Sequence, residues 1–140
     1  MKKTLLILTI GLLSYNLSFS QATKQLNFGL IGASFDIPLA TNVSIAPMAR
    51  TNFDISHLVV GVKADYYFDN LIGIPEAFDF YAGANAGYRI YLNDTNGDVS
   101  NLDMGLEVGG RWFWSDKWGI NLELSGGVGY GGMIGLTMKL

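Results

Sequence analysis

The stretch Leu102 to Trp118, LDMGLEVGGRWFWSDKW, alternates with a period of two and does not slip. One face carries Leu102, Met104, Leu106, Val108, Gly110, Trp112 and Trp114; the other carries Asp103, Gly105, Glu107, Gly109, Arg111 and Phe113. Successive side chains of a strand point to opposite faces, so alternation sustained this long specifies β-structure. Ser115, Asp116 and Lys117 make a short turn, after which Ile120, Leu122 and Leu124 alternate with Asn121, Glu123 and Ser125. The product is a hairpin with one apolar face, one face of charges and glycines, and tryptophans around its turn. A barrel wall standing in lipid needs such a hairpin, whereas a soluble sandwich rarely puts charges and glycines on one face.

The same period recurs along the chain. In Leu26 to Leu39, Leu26, Phe28 and Leu30 share one parity, while Ile31, Ala33, Phe35, Ile37 and Leu39 share the other. The change of phase between Gly29 and Gly32 reads as a β-bulge, and Pro38 as the end of that strand. Val43 to Phe53 sets Val43, Ile45, Pro47 and Ala49 against Ser44, Met48, Arg50 and Asn52, although Pro47 cannot donate to a ladder. Leu58 to Phe68 and Phe78 to Leu92 alternate cleanly, and Ile134, Leu136, Met138 and Leu140 alternate with Gly135, Thr137 and Lys139. No period of 3.6 appears after the N-terminal leader. Seven strand regions are visible, but single-chain bacterial barrels have even numbers. An eighth is expected from a division of Leu26 to Leu39, or from Gln21 to Gln25.

Composition narrows the class further. At 140 residues the chain forms one domain at most, and 15% charged against 49% hydrophobic residues is low in charge for a soluble protein. No run of 18 apolar residues follows the leader, which excludes a helical membrane protein. The chain has no cysteine, so neither a disulfide framework nor a lipid-bearing cysteine is available. The net charge of −3, or −5 without Lys2 and Lys3, comes with no basic cluster and argues against nucleic acid. Residues 1–20 have the form of a signal peptide: Lys2 and Lys3, an apolar core from Leu5 to Leu13, and small residues at Ser18-Phe19-Ser20. Cleavage before Gln21 would leave 21–140 as the mature domain.

Which face points inward follows from what each face carries. The polar face holds Gly61, Gly83, Gly87, Gly105 and Gly109, which suit a crowded interior. It also holds both signs of charge: Arg50, Lys63, Arg89, Arg111 and Lys139 against Asp36, Asp65, Asp103, Glu107 and Glu123. In a membrane barrel lipid wets the apolar face and the lumen is polar. Tyr66, Phe68, Phe78, Phe80, Trp112, Trp114 and Trp118 all fall at one end, where an interfacial girdle belongs. The expected fold is all-β: a closed antiparallel up-and-down transmembrane β-barrel of about eight strands. The interior of such a barrel is only wide enough for side chains, so its charges read as a plug. Arg111 is expected to pair with Glu107 and Glu123.

The segments YYF (66–68), DFYAGANAGYRIYL (79–92), GLEVGGRWFWSDKWGINLELSGGVGYG (105–131) and IGLTMKL (134–140) resemble small outer-membrane β-barrel proteins, of the porin-family or OmpA-like kind found in Bacteroidetes. The resemblance implies the outer membrane of a Gram-negative bacterium, with lipid as surroundings. It also implies an assembly machinery that recognises the C-terminal strand, where Leu140 stands in place of the usual aromatic. The aromatic end would face the periplasm, and Asp54 to His57, Asn93 to Asn101 and Gly126 to Gly132 the outside. A structural or surface-interaction role is expected, with no enzyme activity and no cofactor; the alternatives are a secreted soluble barrel binding a small apolar ligand, or a narrow passive pore.

Three local patterns raise chemistry and lose to plainer readings. Ser56 and His57 with Asp54 have the residue types of a hydrolase, but no strained nucleophile turn surrounds them. Gly127, Gly129 and Gly132 match G-x-G-x-x-G, but a strand follows where a phosphate site needs a helix. Asp94, Asn96 and Asp98 have calcium-ligand spacing, with Gly97 out of place and no distal glutamate. No catalytic, cofactor or metal residue is assigned.

Overall fold

The computed structural model describes residues 22–92, 101–127 and 131–140. The leader 1–20 and the Asp94–Asp98 pattern lie outside these. Eight antiparallel strands close on themselves in sequence order: β1 (Gln25–Gly29), β2 (Gly32–Ala40), β3 (Val43–Thr51), β4 (His57–Tyr67), β5 (Phe78–Tyr91), β6 (Asn101–Phe113), β7 (Trp118–Ser125) and β8 (Gly131–Lys139). β1 pairs with β8 from Gln25↔Lys139 to Gly29↔Gly135, which leaves the sheet without an edge.

Two strands stand where the parity change suggested one bulged strand. Gly29 pairs with Gly32 across a turn of Leu30 and Ile31, so Leu26 to Leu39 is a hairpin and supplies the eighth strand. A two-residue turn and a one-residue bulge shift side-chain parity alike, so alternation by itself does not separate them. A register shift does occur in β2, between Pro38 and Ala40, and Pro38 lies inside the strand instead of ending it. Pro47 sits within β3 at a break in the β2–β3 ladder: Ser34↔Met48 is followed next by Ile37↔Ile45. Its missing N–H falls where that ladder is interrupted, while β3 keeps an unbroken ladder to β4 through Pro47↔Val62. One helical turn, α1 (Asp69–Ile72), stands in the β4–β5 connection, where no helix was expected; four residues are too few to show a period.

The ladders also fix the tilt. From Gly29, hydrogen-bonded neighbours through β2, β3, β4 and β5 lead to Asn101 on β6. The opposite route, through β8 and β7, leads to Arg111, ten residues further along the same strand. A ten-residue climb around eight strands means strands inclined by ~40° to the axis and an interior that side chains fill.

The faces divide as the alternation predicts. Leu102 (72% exposed), Leu106 (74%) and Ile134 (65%) stand on the outer surface. Lys63, Asp65, Glu107, Arg111 and Glu123 are buried inside. Among the described residues the buried apolar cluster consists of Met48 and Val59. This barrel is built around polar groups.

Candidate functional site

The lumen holds two stacked layers of charge. The first lies towards the aromatic end and centres on Arg111. Its guanidinium donates from Nε to Asn27 Oδ1 (3.1 Å), from one terminal nitrogen to the Tyr67 hydroxyl (2.7 Å) and from the other to Asp36 Oδ2 (2.5 Å). Asp79 lies 3.9 Å away. Asp36 also accepts from Asn27 Nδ2 and from Tyr67. Thr137 donates to Asn27 and Gln25, which ties β8 to β1 from the inside. The guanidinium lies over the Tyr81 ring, 4.4 Å from its centroid.

The second layer centres on Lys63. Its ammonium reaches Glu123 Oε2 (2.6 Å), Asp65 Oδ2 (3.0 Å) and Glu107 Oε1 (3.1 Å). Arg50 pairs with the other Glu123 oxygen and lies 3.8 Å from Glu107. Tyr81 donates to Glu123 (2.8 Å), and Asn85 donates to Glu107 (2.7 Å). Three carboxylates thus face two cations. Asp65 has Lys63 as its close cation, while Arg50 Nε and Asn85 Oδ1 have no hydrogen-bond partner.

Glycines make room for both layers. Asp65, Gly83 and Glu107 are partners across β4, β5 and β6, so the two carboxylates flank a position with no side chain. A Cβ at Gly83 would collide with Asp65 Oδ1 and the Ala64 carbonyl; one at Gly109 would enter the Tyr81 ring.

The sequence-derived residues fall as follows. Arg50, Lys63, Asp65, Glu107 and Glu123 meet in one layer. Arg111 does not pair with Glu107 or Glu123; its partner is Asp36, 75 residues away in sequence. Arg89 pairs with Asp103 (2.8 Å) towards the opposite end. Lys139 rests its ammonium 3.9 Å from the centroid of the Phe113 ring. Tyr67, Tyr81, Asn27, Asn85 and Asp79 were not singled out, although their parity places each on the inward face. Of the girdle residues, Phe78, Phe80, Trp112, Trp114 and Trp118 are exposed at one end and Tyr66 is half-buried there. Phe68 follows β4 at the same end and donates its N–H to the Phe80 carbonyl (3.1 Å).

A cavity of about 540 Å³ opens at the aromatic end, lined by Asp69, Asp79, Phe113, Trp114 and Lys139 among others. One of about 170 Å³ opens at the other end beside Arg50, His57, Val59 and Met133. The two charged layers stand between them. At the first mouth, beyond the end of β4, the Asp69 carboxylate accepts from the Phe80 N–H. Burial pushes this carboxyl up to about 6, and neighbouring Asp79 adds to the rise against the hydrogen bond from Phe80.

The hydrolase-like trio does not assemble. Ser56 Oγ lies 3.4 Å from His57 Nδ1, nearer than adjacent strand residues suggest, but Asn52 holds Ser56, not Asp54. Searches against family models, curated proteins and solved structures return no match for this chain.

Proposed function

We propose that the chain is a small outer-membrane β-barrel protein of the porin-family or OmpA-like kind, acting as a membrane-embedded structural or surface-interaction element without catalytic activity. The observation that carries this reading is the inverted polarity of the closed barrel: ion pairs fill the lumen and large apolar side chains cover the outside. Water would leave that exterior unsatisfied, whereas lipid matches it, and a closed ladder is what a lipid-facing sheet needs. The girdle at one end supports the same placement. The filled lumen favours an anchor over a pore. On this reading the aromatic end faces the periplasm and Ser56 lies outside the cell.

The test is extraction. The mature protein is expected in the outer-membrane fraction, released only by detergent. Recovery from the soluble periplasm after lysis without detergent would overturn the proposal. Planar bilayers holding the purified barrel are expected to show no steady conductance; an ion-selective current would replace the anchor with a pore.

A further inference from the structure

The wall of this barrel is not of even height. On β6, Asn101 ends the strand at the side away from the girdle, and the ladder climbs to it from Gly29 in five steps. Five of the eight steps in a ten-residue circuit amount to about six residues, on the order of 15 Å along the axis at ~3.3 Å per residue and ~40° tilt. Gly29, the outer end of β1, therefore lies well below the rim formed by β4, β5 and β6. The girdle gives an independent ruler: Phe28 meets Trp118 edge to face with 6.4 Å between ring centroids. Leu30, two residues on, stands on the order of 10 Å above the girdle, within an apolar band ~25 Å tall.

What the chain places there is largely apolar, with Asp54 the exposed charge between Phe53 and Ile55. Leu30 is 84% exposed, and across the neighbouring strands Phe53 is 79% and Ile55 61% exposed. The Ile31 carbonyl accepts from the Thr51 N–H (2.8 Å). The loop after β3 closes on itself: Ser56 N–H donates to Asn52 Oδ1 (2.9 Å), Ile55 N–H to the Asn52 carbonyl (3.0 Å) and Thr51 Oγ1 to the His57 carbonyl (2.8 Å). Ile55 has φ of 49°, a left-handed conformation rare for a β-branched residue, and persists because that network holds it. These bonds reduce the unpaired backbone that lipid would meet, while the turn and the loop present leucine, phenylalanine and isoleucine at that height.

The geometry points to a lipid-contacting low wall: the Leu30–Ile31 turn ends inside the hydrocarbon zone, and Phe53 and Ile55 rest at its boundary. This rests on the membrane placement proposed above. Its partner is the acyl region of the bilayer, continuous with the lipid that covers β5 to β7.

The chain has no cysteine, so single cysteines carrying nitroxide labels can be placed freely. Labels at Leu30, Ile55, Val108 and Asp116 would be compared in phosphatidylcholine vesicles by collision with oxygen and with a water-soluble nickel chelate. Val108 calibrates the band and Asp116 the aqueous phase. Leu30 is expected to match Val108 and to exceed Asp116 several-fold in its oxygen-to-nickel ratio, with Ile55 between them. An aqueous Leu30 beside a lipid-exposed Val108 overturns the low wall and leaves the membrane placement standing. An aqueous Val108 removes the membrane placement and this inference with it. As a second variant, Leu30→Lys is expected to destabilise the barrel in vesicles, and unchanged stability would contradict the low wall.

Discussion

The two layers of the lumen neutralise charge in different ways. Around Arg111 donors and acceptors are matched: each guanidinium nitrogen has its own acceptor, and Asp36 keeps two neutral donors besides. Around Lys63 one ammonium lies within 3.1 Å of three carboxylates, with Arg50 as the second cation, and Arg50 Nε and Asn85 Oδ1 are left without hydrogen bonds. Low dielectric strengthens a satisfied network and penalises an incomplete one. The lysine is thus the less replaceable cation, although the arginine makes more hydrogen bonds.

The largest effect is therefore expected for Lys63→Met. It would leave Asp65, Glu107 and Glu123 with Arg50 alone and should reach or exceed the upper end of the roughly 3–5 kcal/mol that breaking a buried pair costs. The denaturant midpoint of the barrel in detergent reads this directly. Arg111→Met comes next, near the lower end of that ~3–5 kcal/mol range, because Asn27 and Tyr67 still serve Asp36. A larger loss for Arg111→Met than for Lys63→Met would reverse the ranking of the layers.

Gly109→Ala tests the element the layers share. Tyr81 lies beneath Arg111 and donates to Glu123, and a Cβ at Gly109 would displace its ring. Overpacking of this kind costs about 1–3 kcal/mol, and near-ultraviolet circular dichroism should report the moved tyrosine. A stable variant with an unchanged spectrum would show that the layers do not depend on this ring.

The smallest effect is expected outside the lumen. Asp69 is held at about 6 in the folded protein, above the ordinary aspartate value, so ionisation there opposes folding. Stability from this group is fully present below about pH 4, the unfolded value, declines as pH rises to about 6, and is flat beyond. Half-exposure screens the effect to less than ~1 kcal/mol. Asp69→Asn should remove that slope from unfolding curves taken across the window; a slope that persists would assign it to another carboxyl.

Much of this is legible in the sequence. Parity alone assigned Arg50, Lys63, Glu107, Arg111 and Glu123 to one face, because a strand offers only two. Pairing was not legible. Glu107 and Arg111 share a face, but four residues of strand separate them by about 13 Å, too far for an ion pair. The climb of the ladder decides who meets whom, and it depends on closure, which no local window contains. The Leu30–Ile31 turn was hidden for a related reason, since its parity signature equals that of a bulge. Tyr67 and Tyr81 stand on the inward parity, but only the closed ladder shows that they reach Arg111 and Glu123.

One consequence concerns time. β1 is the first strand in sequence and, at five residues, the shortest, and it closes the ring against the last. The Arg111 layer draws on Asn27 from β1, Asp36 from β2, Tyr67 from β4 and Thr137 from β8, so it is complete only when that seam shuts. Contacts between chain ends form late, since the entropy of closing the longest loop precedes them. Interactions absent from the transition state set how slowly a protein opens, not how fast it folds. The arginine at the centre of that seam would thus act as a brake on opening, and its replacement should shorten the lifetime of the closed ring while leaving the rate of closure almost untouched.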